Sequence, residues 1–180
     1  LRFRMKGSME AERFDEAIEL AQRFQELWPD SEFDLEMTYL IARAEAGDVV
    51  NARKVGVLLP MSGQYAPAAT RFKQSIEMAN QRAGNTLKLT FADTGGSPEK
   101  TISELERLVI EEGCVAILGP LLKEGVMSAA AAAQALNVPM VALSQSKRPT
   151  DAGDYVFRGF LPLTQQVDAL VEHAIAERGF

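Results

Sequence analysis

Lys54-Val55-Gly56-Val57-Leu58-Leu59, followed by Pro60-Met61-Ser62-Gly63-Gln64-Tyr65, decides the fold. The first six residues are short, apolar after the opening lysine and carry two valines. An unbroken apolar run of that length, without polar alternation, is what a parallel strand covered on both faces requires. The six that follow carry proline, glycine and polar groups and read as the exit loop.

Downstream of this run, strand and helix alternate. Ala66 to Ala83 predicts a helix with Phe72, Ile76 and Ala79 on one face, closed by Gly84. Leu87 to Ala92 reads as a strand and Asp93-Thr94-Gly95-Gly96 as a turn. Ser97 as N-cap and Pro98 at the first helical position then open a helix facing inward through Ile102, Leu105, Leu108 and Val109, with Gly113 as its stop. Cys114 to Leu118 predicts a third strand, Gly119-Pro120-Leu121-Leu122 its loop, Lys123 to Leu136 an alanine-rich helix and Val138 to Leu143 a fourth strand. Tyr155 to Arg158 predicts a further short strand, and Thr164 to Glu177 a final amphipathic helix capped by Thr164 and stopped by Gly179. Short connections between alternating elements imply right-handed crossovers and an α/β doubly wound parallel sheet. In such sheets ligands gather at the carboxyl ends of the strands. The loops 60–65, 93–96, 119–122 and 144–147 should therefore converge on one rim.

Upstream the spacing is helical throughout. Phe14, Ala17, Ile18, Ala21, Phe24, Leu27 and Trp28 predict a helix over about Glu10 to Trp28, ended by Pro29. Phe33, Met37, Leu40, Ile41 and Ala44 predict a second over Ser31 to Ala46, with Gly47 as a left-handed cap. Asn51-Ala52-Arg53 is the expected boundary between a helical segment over 1–50 and an α/β unit over 51–180.

With 180 residues and 47% hydrophobic content the chain can bury a core, and its net charge of -6 disfavours a nucleic-acid partner. The single cysteine, Cys114, sits in an apolar run and reads as a buried hydrophobe. No apolar run reaches the roughly 20 residues of a membrane-spanning helix. No charged and apolar leader opens the sequence, so a signal peptide or lipid-attachment site is expected to be absent or already removed.

Catalytic and cofactor patterns are not found. The loop after Leu59 offers only Gly63 where a dinucleotide turn needs several glycines, and there is neither a phosphate-loop lysine motif nor a nucleophile elbow. His173, the lone histidine, has no serine or cysteine partner placed by any motif, and no cluster of His, Cys or carboxylates has metal-ligand spacing. The reading is a non-enzyme with no cofactor and no metal. What gathers at the strand ends is hydroxyl, amide and aromatic: Ser62, Gln64, Tyr65, Thr94, Ser144, Gln145 and Ser146. Such groups orient a ligand without transforming it. Asp93 has two readings, a cap for the following turn or a contact to a ligand hydroxyl or amine.

Val55 to Gly63, then Asp93, Gly119-Pro120, Asn137-Val138-Pro139 with a serine after the strand, Phe157-Arg158 and Gln165-Gln166 together resemble the type I periplasmic binding proteins of the leucine-binding class. The resemblance implies the first of two α/β lobes that close on an amino acid or amide, the second lobe lying beyond Phe180, and a periplasmic or cell-envelope location. The residues expected to line a ligand site are Ser62, Gln64, Tyr65, Asp93, Leu121, Leu122, Ser144 and Ser146. In that class the loop after Gly-Pro supplies hydroxyls; here Leu121-Leu122-Lys123 stands instead. Phe14 to Pro29, followed by Tyr39, Leu40, Ala42 and Gly47-Asp48, is similar to the end of a tetratricopeptide array, a plain amphipathic hairpin being the alternative. Helical repeats upstream of Gly119-Pro120-Leu121-Leu122-Lys123 resemble the lipoprotein activators of penicillin-binding proteins. That resemblance implies a penicillin-binding protein as partner, regulation of peptidoglycan synthesis by contact, and a lipid anchor rather than a membrane span.

Overall fold

The structure is a computed structural model and describes residues 1–178 apart from Glu12, Glu32, 46–52, Lys147 and Pro162. Five strands, β1 (Lys54–Leu59), β2 (Lys88–Asp93), β3 (Ala116–Leu118), β4 (Met140–Ala142) and β5 (Val156–Arg158), form one sheet in the order β2-β1-β3-β4-β5. Every neighbouring pair is parallel. The α/β doubly wound layer expected from Lys54 to Leu59 is therefore present.

Both faces of β1 are buried, which is why its sequence does not alternate. Leu58 joins Leu105, Leu108, Ile117, Leu136 and Met140 on one face. Val57 and Leu59 join Ala69 on the other, backed by Phe72 and Ile76. The first face is covered by α5 (Pro98–Glu106) and α6 (Lys123–Ala135), the second by α4 (Ala66–Arg82). Gly56 permits the layer to close, since a Cβ there would stand 2.8 Å from Ile117 Cδ1 and 2.9 Å from Leu108 Cδ1.

Some boundaries move for identifiable reasons. β3 starts at Ala116, because the N–H of Cys114 is taken by Leu108 O at 2.9 Å, closing the preceding helix. β4 starts at Met140, because the N–H of Val138 completes the end of α6 on Ala133 O at 2.9 Å. Ala79, expected on the inner face of α4, is exposed, and Ala69 is the buried residue of that helix. After α5 the chain makes a π-helical turn, Arg107–Glu111, where the residue pattern predicts ordinary helix; the N–H of Glu112 returns to Arg107 O at 3.1 Å. The last helix, α7 (Leu163–Arg178), begins one residue before Thr164, so Thr164 lies inside it and is not its cap.

Ahead of the sheet stand three helices, α1 (Arg2–Glu10), α2 (Phe14–Leu27) and α3 (Asp34–Glu45). Met5 and Met9 of α1, Ala17, Leu20 and Ala21 of α2, and Met37, Leu40 and Ala44 of α3 form a separate cluster. Helix α1 escapes the sequence pattern because its apolar face is two methionines one turn apart with no capping side chain. Gln25, near the end of α2, donates to Asp34 at 2.8 Å and Thr38 at 3.2 Å, fixing the turn into α3. The expected cap Gly47 and the boundary residues Asn51 and Ala52 lie outside the described residues.

Candidate binding rim

Parallel strands place all their exit loops at one edge. Leu59 and Asp93 are register partners at the ends of β1 and β2. The next residues knit the loops together: Thr94 N–H donates to Leu59 O at 2.9 Å, Gly119 N–H to Val141 O at 2.9 Å and Leu143 N–H to Pro120 O at 3.2 Å. Ser62, Asp93, Gly119 and Ser144 thus share a single rim.

Asp93 organises the first half of it. One carboxylate oxygen accepts the backbone N–H of Ser62 at 3.1 Å and of Gly95 at 2.9 Å; the other pairs with Lys100 Nζ at 3.0 Å. Partial burial opposes ionisation, but hydrogen bonds from Ser62, Gly95 and Lys100, with the lysine charge, outweigh it and hold the carboxyl well below the usual carboxylate range. The carboxylate therefore serves as the anchor of two loops. Ser97 opens α5 as the sequence suggested, its hydroxyl accepting from Lys100 N–H at 3.3 Å and donating to Glu99 at 2.6 Å.

Gly96 sits between the aromatic and aliphatic parts of the rim. Its φ of +79° suits glycine. A Cβ there would lie 3.5 Å from Leu122 Cδ1 and 3.6 Å from Tyr65 Cδ2, so Tyr65 and Leu122 flank it. Tyr65, Ser62 and Gln64 are exposed, and Leu122 is half-buried. Leu121 turns the other way and packs into the core beneath α4.

In the second half, the Gly119–Pro120 peptide is cis, and Gly119 has a φ of +114°. A Cβ at Gly119 would run into the carbonyl oxygen of Leu58. Ser144 is fully buried, and its Oγ accepts the N–H of Ser146 at 3.2 Å. Ser146 is half-buried and Gln145 exposed, while Lys147 lies outside the described residues.

The rim therefore brings Ser62, Tyr65, Gly96 and Leu122 together, uses Asp93 and Ser144 to shape its loops, and sends Leu121 inward. Gly96 and Lys100 were not among the expected site residues. The signals were a double glycine in the turn after a strand, and a lysine in the first turn of the helix after Asp93. His173 lies on α7, past the last strand, and is exposed. Among the described residues no three His, Cys, Asp or Glu side chains are grouped for a metal ion, and no helix is long and apolar enough to cross a membrane.

A family model described as periplasmic binding protein matches residues 53–180. The chain belongs to the periplasmic binding protein family. Solved members of similar structure include an ABC-transporter solute-binding protein of Rhodopseudomonas palustris in complex with 4-hydroxybenzoate. It is 27% identical with a TM-score of 0.59, over 70% of this chain and 36% of that one. A leucine-binding protein of Thermotoga maritima is 24% identical with a TM-score of 0.58, over 70% and 37% of the two chains. A branched-chain amino acid binding protein of Streptococcus pneumoniae, solved with isoleucine, shares the fold at 18% identity and a TM-score of 0.58, over 71% and 39%. The chain spans a little over a third of the length of these periplasmic binding proteins. No curated protein matches it significantly.

Proposed function

We propose that residues 51–180 form the first lobe of an extracytoplasmic receptor that binds a small polar solute, an amino acid or amide, without transforming it. The observation that carries this reading is the convergence of four strand-exit loops on one rim, where Tyr65 and Leu122 flank Gly96 and the Ser62 hydroxyl stands beside Gly95. An aromatic ring, an aliphatic side chain and a hydroxyl suit the apolar and polar ends of such a solute. Groups of this kind orient a ligand, and binding is the role they support. Titration calorimetry of the protein against amino acids, their amides and hydroxybenzoates tests it. Saturable binding weakened about tenfold, some 1.4 kcal/mol, by Tyr65→Ala or Ser146→Ala is expected; silence across the panel rejects the solute.

A second reading has an observation of its own. The oxygens of Asp93 and Ser144 are engaged in bonds that shape the rim loops and Leu121 packs against the core, which leaves the rim fewer polar groups for a solute. On this reading the helical segment 1–50 is the end of a tetratricopeptide-like array, and the protein is a cell-envelope lipoprotein that activates a penicillin-binding protein by contact. Its test is co-purification with a penicillin-binding protein and an increase in transglycosylase or transpeptidase rate. An unchanged rate rejects it.

A further inference from the structure

Helices α4 and α6 end in the same way. After α4, the N–H groups of Gly84 and Asn85 reach the carbonyls of Gln81 and Asn80 at 3.0 and 2.8 Å. After α6, those of Asn137 and Val138 reach Gln134 and Ala133 at 3.1 and 2.9 Å. This double closure needs a left-handed residue, for which glycine is favoured because it has no Cβ. Gly84 fills the place after α4 with a φ of +80°, whereas Asn137 fills it after α6 with a φ of +54°.

The asparagine side chain explains the choice. Its Nδ2 donates to Glu36 Oε1 at 3.0 Å, across 101 residues of sequence. Glu36 belongs to α3 and is only 2% exposed. The same oxygen receives Lys6 Nζ from α1 at 2.7 Å. A carboxylate this buried is tolerated only with charged and hydrogen-bonded partners. Lys6 reaches it from the helical segment and Asn137 from the α/β layer. Beside it Leu35 and Tyr39, also on α3, pack against the apolar cluster of the α/β layer, and α3 lies against the π-helical turn. Helix α3 therefore has two inner faces: Met37, Leu40 and Ala44 toward α1 and α2, Leu35 and Tyr39 toward the sheet layer.

We propose that the surface formed by the π-helical turn 107–111 and the left-handed end of α6 is the docking surface for the helical segment α1–α3, with Asn137 standing in place of glycine to hold Glu36. That surface is at the edge where the strands begin, since Asn137 precedes β4 and the turn precedes β3. The helices are seated at the opposite edge from the rim and leave it open.

Asn137→Gly and Asn137→Asp in the whole chain separate the latch from the helix end. Glycine keeps or improves the backbone closure and removes the amide; aspartate sets a second carboxylate against Glu36. The readout is hydroxyl-radical labelling of Tyr39, half-buried at the docking surface, relative to the exposed Tyr65, with maleimide reaction of the buried Cys114 as the monitor of the layer's own fold. The proposal expects Tyr39 labelling to rise about threefold or more in both variants, as local undocking exposes it, with Cys114 still protected. Unchanged Tyr39 labelling overturns it. A rise accompanied by Cys114 reaction also overturns it, because Asn137 would then serve the α/β layer itself.

Discussion

Ser62, just past β1, donates its backbone N–H at 3.1 Å to the carboxylate of Asp93, the last residue of β2. One side chain thereby sets the spacing of two rim loops. The N–H of Gly95 and the ammonium of Lys100 complete its shell.

Acid should loosen this arrangement. Folding lowers the Asp93 pKa, so its contribution to stability is complete above the unfolded-chain value of about 4 and is withdrawn as the pH falls below it. The denaturant midpoint of the wild type should drop between about pH 5 and pH 2. Asp93→Asn should be less stable at neutral pH by about 1–2 kcal/mol and show a flatter profile over that window. Equal slopes for the two proteins would reject the assignment.

Gly119 and Gly7 should respond oppositely to alanine. At Gly119 the φ of +114° and the Leu58 carbonyl leave no room, so Gly119→Ala should cost about 2 kcal/mol or more in urea denaturation. Gly7 lies within α1 with nothing near a Cβ, and Gly7→Ala should stabilise the helical segment by about 0.5–1 kcal/mol.

The contact of α5 with α6 depends on Gly125 facing Thr101. A Cβ at Gly125 would stand 2.7 Å from Thr101 Oγ1, so Gly125→Ala should cost about 1–3 kcal/mol through overpacking. Adding Thr101→Ala should recover part of that loss, although Thr101→Ala alone forfeits the hydroxyl's bond to Ser97 O at 2.7 Å. Strict additivity in the denaturation cycle would show that the two sites do not meet.

The thiol of Cys114 is buried, and burial pushes its pKa up. Disulfide-exchange reagents should therefore modify it at pH 8 far more slowly in the native protein than in denaturant. Equal rates would contradict its place in the core.

The α/β layer was readable because its strands are written in residues that burial on two faces demands. Lys54 to Leu59 lacks alternation since Leu58 and Val57 point into different apolar clusters. Caps were equally readable where chemistry is local, as at Ser97. The π-helical turn was not, because Arg107 to Glu111 continues the apolar spacing of the helix before it, and Leu105, Leu108 and Val109 are buried in the structure as an ordinary helix would bury them. At the rim, residue types located the loops but not the direction of each side chain. Leu121 and Leu122 are identical in composition and adjacent, yet one packs inward and the other flanks Gly96. The use of Ser144 to close its own loop depends on a bend that no residue pattern specifies. Glu36 was invisible as an interface residue because its partner Asn137 is remote in sequence, and the exposed face of a helix is where a glutamate is ordinarily found.

The strand order has a kinetic corollary. Each ladder joins segments separated by an intervening helix, from Lys54 with Lys88 to Ile117 with Met140 and Val156 with Met140. Among the described strands no two are joined as a hairpin, so each pairing must first close a loop through a crossover. The interior strand β1 waits for β3 to be synthesised before both of its edges are satisfied. The three leading helices, built from near-neighbour contacts, can assemble while the sheet is still emerging from the ribosome.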